Sequence, residues 1–204
     1  DASAVSVVPM SHDGYTKLSV VITKAKKNSP KGTIKISRHD VIESSDDCIL
    51  VPLPPWNTAH LKLYKNAFKD RVYLPVWRDF TWESLEFCKH AFEIENSLGI
   101  ELIATNRPFF HSKDRKPLHD VLTCILHKTT LNECRHKLLQ NAERYLKSKK
   151  ELQEIWKDRP DLLRRTLEVA KKIKFSLDEL RYKYPQEGLP ENLTAAQLLR
   201  KLTS

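Results

Sequence analysis

Hydrophobic spacing changes period several times along this chain, and each change marks an element. From Asp13 onward, Tyr15, Leu18, Val21, Ile22 and Ala25 recur at helical spacing, which predicts a helix ending in the loop KKNSPKG. TIKIS (33–37) alternates like a short strand, and SRHDVIESS reads as a helical turn opened by Ser37. CILVPLP (48–54) is an unbroken apolar run, expected of a buried strand ended by prolines. Over 57–69, Leu61, Tyr64 and Phe68 mark one helical face. VYLPVW (72–77) is strand-like, with Pro75 restricting it to an edge, a bulge or a strand end. The stretch from Trp82 to Leu98 carries Leu85, Cys88, Phe92 and Glu95 on successive turns and stops at Gly99, a good C-cap. IELIAT (100–105) is the next strand.

Strands alternating with helices predict an α/β fold: a parallel sheet with covering helices, whose active rim lies at the carboxyl ends of the strands. ATNRPFFH (104–111) follows one such end. After Pro117 the pattern becomes helical throughout, with Leu118, Val121, Leu122 and Ile125 on one face. Thr130 with Glu133, Ser148 with Glu151, and Thr194 with Gln197 each match a capping box. Pro160 suits the first turn of a helix running through Leu163, Leu167 and Ala170. KFSLDELRYKYPQEGLP (174–190), with two prolines and a glycine, resembles a linker into another domain.

Composition removes several function classes. With only 4 Gly in 204 residues, neither G-x-x-x-x-G-K-[ST] nor G-x-G-x-x-G occurs, so glycine loops that cradle phosphates are not expected. No apolar run approaches the roughly 18 residues of a membrane span, and no signal-peptide pattern opens the chain. It begins at Asp1 without a methionine, as a piece of something longer would. Cys48, Cys88, Cys124 and Cys134 never form C-x-x-C, which excludes zinc-ribbon spacing and suits buried free thiols in a reducing cytoplasm. No G-x-S-x-G elbow is present, and the acidic pairs Asp46–Asp47 and Glu93–Glu95 read as solvated.

Charge is unevenly placed. Residues 113–183 hold 19 Lys/Arg against 11 Asp/Glu, so a net of +8 out of the chain's +9 lies in the second half. Such asymmetry points to an acidic partner, nucleic acid first, with a solvated lysine-rich helical surface as the alternative. Lys147, Lys149 and Lys150 beside Tyr145, and Arg181 with Lys183 in RYKYP, interleave bases with aromatics and are the candidate nucleic-acid contacts. A different chemistry is offered by His111, Asp114, His119 and Asp120, four competent ligands for Zn or Mn in a metal-dependent phosphoesterase. The plainer account of these four is local. His119 and Asp120 begin a helix, and Asp114 has bases on either side to neutralise it.

PLHDVLTCI, TTLNECRHKLLQNAERYLKS and FSLDELRYKYPQEGLP, in that order, resemble a stretch of bacterial C-family DNA polymerases of the alpha-subunit type, in their error-prone branch. The likeness is strong from Leu102 to Ser204 and diffuse from Val7 to Gly99. It implies that 1–117 is the later part of a polymerase-and-histidinol-phosphatase (PHP) barrel with parallel strands. Residues 118–175 would be a helical segment closing that barrel, and 176–204 a linker into the polymerase palm. Metal-binding members of the family read T-N-D-x-H at the strand end. Here Thr105 and Asn106 match, but Arg107 stands at the Asp position and Phe109 at the His position. A guanidinium cannot ligate a cation and a phenyl ring has no lone pair to offer. The resemblance therefore implies a scaffold with no metal ligands, no catalytic residues and no cofactor of its own. Its parent polymerase would use Mg, act on DNA and contribute the remaining domains.

Overall fold

Cys48–Pro52 (β2) is a nearly wholly buried strand, as its apolar run predicts, and the core is built outward from it. Val5–Pro9 (β1) lies antiparallel beside β2, with Val7 opposite Leu50. Tyr73–Val76 (β3) and Glu101–Ala104 (β4) form a second, parallel pair with Leu74 opposite Leu102. A single parallel bridge between Leu50 and Val72 joins the two pairs. Pro75, three residues further along β3, has no N–H to extend a ladder toward β2, which accounts for the break.

The fold is thus mixed α/β with two small sheets. Among the described residues no closed barrel forms, and the β1–β2 pair is antiparallel, which corrects the expectation of parallel strands throughout. The computed structural model describes residues 4–181 and 193–203, and it divides into two compact units, residues 1–174 and 175–204.

In the first unit the helices are His12–Lys27 (α1), Arg38–Glu43 (α2), Thr58–Phe68 (α3), Trp82–Leu98 (α4), Lys116–His127 (α5), Lys149–Ile155 (α6) and Pro160–Lys172 (α7). Local chemistry fixes their ends. Ser37 and Ser148 complete reciprocal capping boxes with Asp40 and Glu151, and Gly99 closes α4 in the left-handed region at φ 62°. Gly14 lets the first turn of α1 sit on the turn before β2. A Cβ there would stand 2.4 Å from the Asp47 carbonyl oxygen.

Two sequence expectations fail in this unit. TIKIS is irregular and leaves Ile34 and Ile36 exposed, because it finds no strand to pair with. Residues 128–148 are turns and extended backbone rather than helix. Thr130 and Glu133 do bond as a cap would, but only a turn and the short 3-10 segment Arg135–Lys137 follow. The helix begun by Pro160 does run through Leu163, Leu167 and Ala170; its buried side is Leu162, Thr166 and Val169 with Leu163 packed at the edge of the core, while Leu167 and Ala170 face solvent. The Thr166 hydroxyl, which bonds the Ala104 carbonyl at 3.1 Å, sets that rotation. All four cysteines are free and buried, as expected. No helix among the described residues is long and apolar enough to cross a membrane.

Among its described residues the second unit holds the α-helix Ala195–Thr203 (α8), opened by the predicted reciprocal bonds between Thr194 and Gln197.

Candidate functional site at the strand-end rim

β3 and β4 end side by side. Thr105 donates both its N–H and its hydroxyl to the Val76 carbonyl, holding the two exits together. The chain then turns through Arg107 at φ 44°, a left-handed conformation that bulky side chains rarely adopt. Residues 140–147 lace across this rim. Phe109 N–H donates to the Arg144 carbonyl at 2.7 Å, and Leu146 N–H to the Phe110 carbonyl at 3.1 Å. Asn141 reaches the Asp79 carbonyl at 2.7 Å, and Gln140 reaches Glu83 at 2.9 Å. The Asn106 amide closes onto the Tyr145 carbonyl, and Arg144 Nε donates to the Arg107 carbonyl at 3.2 Å.

This lacing sets two guanidiniums on two rings. Arg107 lies 4.0 Å from the Trp77 centroid, and Arg144 lies 3.8 Å from that of Phe109, which itself stacks on His119 at 5.0 Å. Burial lowers the pKa of Arg107. Burial, and then the field of Arg107, bring Arg144 down to about 10. Asp79 partly balances both charges. Desolvation works against its ionised form, but bonds from Thr81 and Ser84 and the field of Arg144 outweigh it and hold the carboxyl below its usual range. Beside Arg107 opens a cavity of about 580 Å³, whose walls also include Trp56, Trp77, Asp79, Glu83 and Phe87.

The four candidate metal ligands do not converge. His111 and Asp114 are exposed, and Asp114 is held low chiefly by the Ser112 hydroxyl rather than by a neighbouring base. Lys113 instead pairs with Glu143 at 2.9 Å, and Lys116 with Asp120 at 2.6 Å. His119 is wedged against Phe109 and Phe110, with its Nδ1 3.9 Å from Asp120 Oδ1. Among the described residues the one cluster with metal-ligand spacing is His39, Asp40 and Glu43 on α2, where Asp40 is already engaged by Ser37. At the strand end, Arg107 and Phe109 offer no lone pair to a cation.

The candidate nucleic-acid residues are dispersed. The side chain of Lys147 is only 2% exposed, and its ammonium is taken up by Glu143, the Asn106 side chain and the Tyr145 ring. Lys149 and Lys150 are exposed in the first turn of α6. Arg181 is exposed in the second unit, and Lys183 lies outside the described residues. Sequence reasoning passed over Arg144, Asp79, Trp56 and Trp77 as members of one site. The signal available was the W-R-D-F run at the end of β3, which places a ring, a cation and an acid where a strand empties.

No family model matches the chain. Curated relatives do, along essentially its full length. It is 43% identical over 203 residues to an error-prone DNA polymerase of Bdellovibrio bacteriovorus, covering 100% of this chain and 19% of that protein. It is 33% identical over 210 residues to error-prone DNA polymerase 1 of Agrobacterium fabrum, covering 99% and 19%. It is 32% identical over 191 residues to an error-prone DNA polymerase of Teredinibacter turnerae, covering 92% and 18%. The chain spans about a fifth of the length of these relatives. From end to end, the chain matches a fragment of the bacterial C-family DNA polymerases of the error-prone kind.

Proposed function

We propose that this chain is the later part of a PHP-like barrel and its lead into the palm, serving an error-prone DNA polymerase as a scaffold without metal chemistry of its own. The parent carries out Mg-dependent deoxynucleotidyl transfer on DNA in the cytoplasm, during replication and damage-induced synthesis. The remaining polymerase domains are this piece's structural partners. The observation that carries the reading is the pair of substitutions at the rim: Arg107 and Phe109 stand where ligands would, and both are locked into ring stacks. A fixed positive charge in that place repels a divalent ion as well as failing to bind one. DNA contact, if made by the basic half, falls to the exposed Lys149 and Lys150 rather than to the buried ammonium of Lys147.

Two measurements test the proposal. The purified chain, supplied with Mn or Zn, should release no product from phosphomonoester or phosphodiester substrates. Metal-dependent turnover abolished by His111→Ala would overturn the scaffold reading in favour of a phosphoesterase. Binding to double-stranded DNA should be weak and fall steeply as salt rises, with Lys149→Gln/Lys150→Gln flattening the slope. A slope unchanged in that variant removes these lysines from the account.

A further inference from the structure

The arginines packed into the first unit fall into two groups. Arg71 donates to the Ser45 and Cys48 carbonyls, Arg78 binds Asp158 through two bonds at 2.6 and 2.7 Å, and Arg159 and Arg165 both meet Glu95 at 2.9 Å. Arg107 and Arg144 differ. Among the described residues neither directs a terminal guanidinium nitrogen to a carboxylate or a carbonyl; each guanidinium sits over a ring, and Arg144 spends only its Nε, on the Arg107 carbonyl. Two like charges are held near each other, Arg107 exposed and Arg144 partly buried, and nearby Asp79 is already occupied by Thr81. A planar fork stacked on a ring is preorganised to bind phosphate oxygens in pairs.

The adjoining cavity adds the second half of a ligand. Its volume, about 580 Å³, lies within the range of small-molecule sites, and Trp56 and Phe87 supply flat apolar wall. Glu83 also faces it. One carboxylate oxygen of Glu83 accepts from Gln140, and the other has no partner among the described residues, leaving an acceptor for an amino group.

We propose that this rim is a nucleotide site, in which Arg107 and Arg144 grip a phosphate while the cavity between Trp56, Phe87 and Glu83 receives the attached base. The shared chemistry is a phosphate next to an amino-bearing nucleobase, present both in a free nucleoside monophosphate and in a single strand. The site stands independently of the scaffold reading and of any contact made by Lys149 and Lys150.

Titration of tryptophan fluorescence tests it, since Trp56 and Trp77 line the cavity. The probes are deoxyadenosine monophosphate, deoxyadenosine, inorganic phosphate and a ten-base oligodeoxyadenylate. The monophosphate should bind saturably, with phosphate and nucleoside each at least about tenfold weaker. Loss of both forks in Arg107→Gln/Arg144→Gln should weaken binding by tenfold or more, the order expected for charge-assisted bonds. Lys149→Gln/Lys150→Gln should bind the monophosphate as the parent chain does, even where its DNA affinity falls. A decamer that binds more tightly than the monophosphate identifies a strand as the ligand, and equal affinities identify a free nucleotide. Should the glutamine variant melt early, Arg107→Lys/Arg144→Lys retains the charges without the forks and should still bind several-fold more weakly. The proposal is overturned by no saturable binding of monophosphate or decamer, by phosphate alone matching the monophosphate, or by lysine or glutamine variants that bind like the parent chain.

Discussion

Helices α5 and α7 are both strongly amphipathic in sequence, and the structure treats them in opposite ways. In α7, Leu162 is fully buried, Thr166 bonds to β4, and Arg159 and Arg165 clamp Glu95 of α4. In α5, Leu118, Val121, Leu122, Ile125 and Leu126 all face solvent, and Cys124 alone is buried. Periodicity states that a face should be covered and is silent on what covers it. What distinguishes α7 is a set of polar anchors spaced to meet neighbours far away in sequence; α5 has Lys116–Asp120 on its own surface and, at its last residue, the contact of His127 with Lys137.

That contrast can be broken by measurement. Leu162→Ala should lower unfolding free energy by about 2–5 kcal/mol in a urea titration, since it empties a fully buried site. Gly14→Ala, which forces a methyl onto the Asp47 carbonyl, should cost about 1–3 kcal/mol in the same titration. Glu95→Gln, which removes the charge shared by two arginines at a partly exposed site, should cost about 1–2 kcal/mol. Leu122→Ala on α5, where the side chain is 56% exposed, should stay within about 0.5 kcal/mol of the parent. A loss there as large as at Leu162 would mean that α5 packs in solution against something that the single chain does not provide.

The smallest effect concerns acid. The Tyr145 hydroxyl, followed by Ser148, holds the Glu151 carboxyl down to about 2 from its ordinary 4.5. A depressed folded-state pKa stabilises above the unfolded value and is lost as pH falls through the folded one. The tether between residue 145 and the start of α6 should therefore survive at pH 4.5 and release only toward pH 2. A carboxyl carbon NMR titration of Glu151 with an ordinary midpoint would contradict this.

Elements whose ends carry their own chemistry were legible from sequence. Trp82–Leu98 with Gly99, the helical turn opened by Ser37, the Ser148 box, and Pro160 at the start of α7 all formed where residue type demanded. Failures occurred where the partner decides. TIKIS alternates well but has no neighbour, whereas the short β1 passed unnoticed and is secured by pairing with β2. The same holds at the rim. Arg107 drew notice from its place in a motif, but Arg144 lies 37 residues later and arrives through backbone pairing of 109–110 with 144–146. No local pattern announces such a meeting. Lys147 illustrates the reverse, a lysine in a basic run whose charge is consumed internally.

One bond near the end of the first unit bears on how the chain emerges from the ribosome. Lys174 N–H donates to the Met10 carbonyl at 2.9 Å, and Lys172 reaches the Tyr73 hydroxyl at 2.8 Å, so early strands are sealed by the last turns of α7. A nascent chain halted before residue 160 lacks that seal and leaves the Thr166-facing side of β4 bare. Protection from protease during synthesis should accordingly appear in one late step, once α7 has cleared the exit tunnel, instead of accumulating strand by strand.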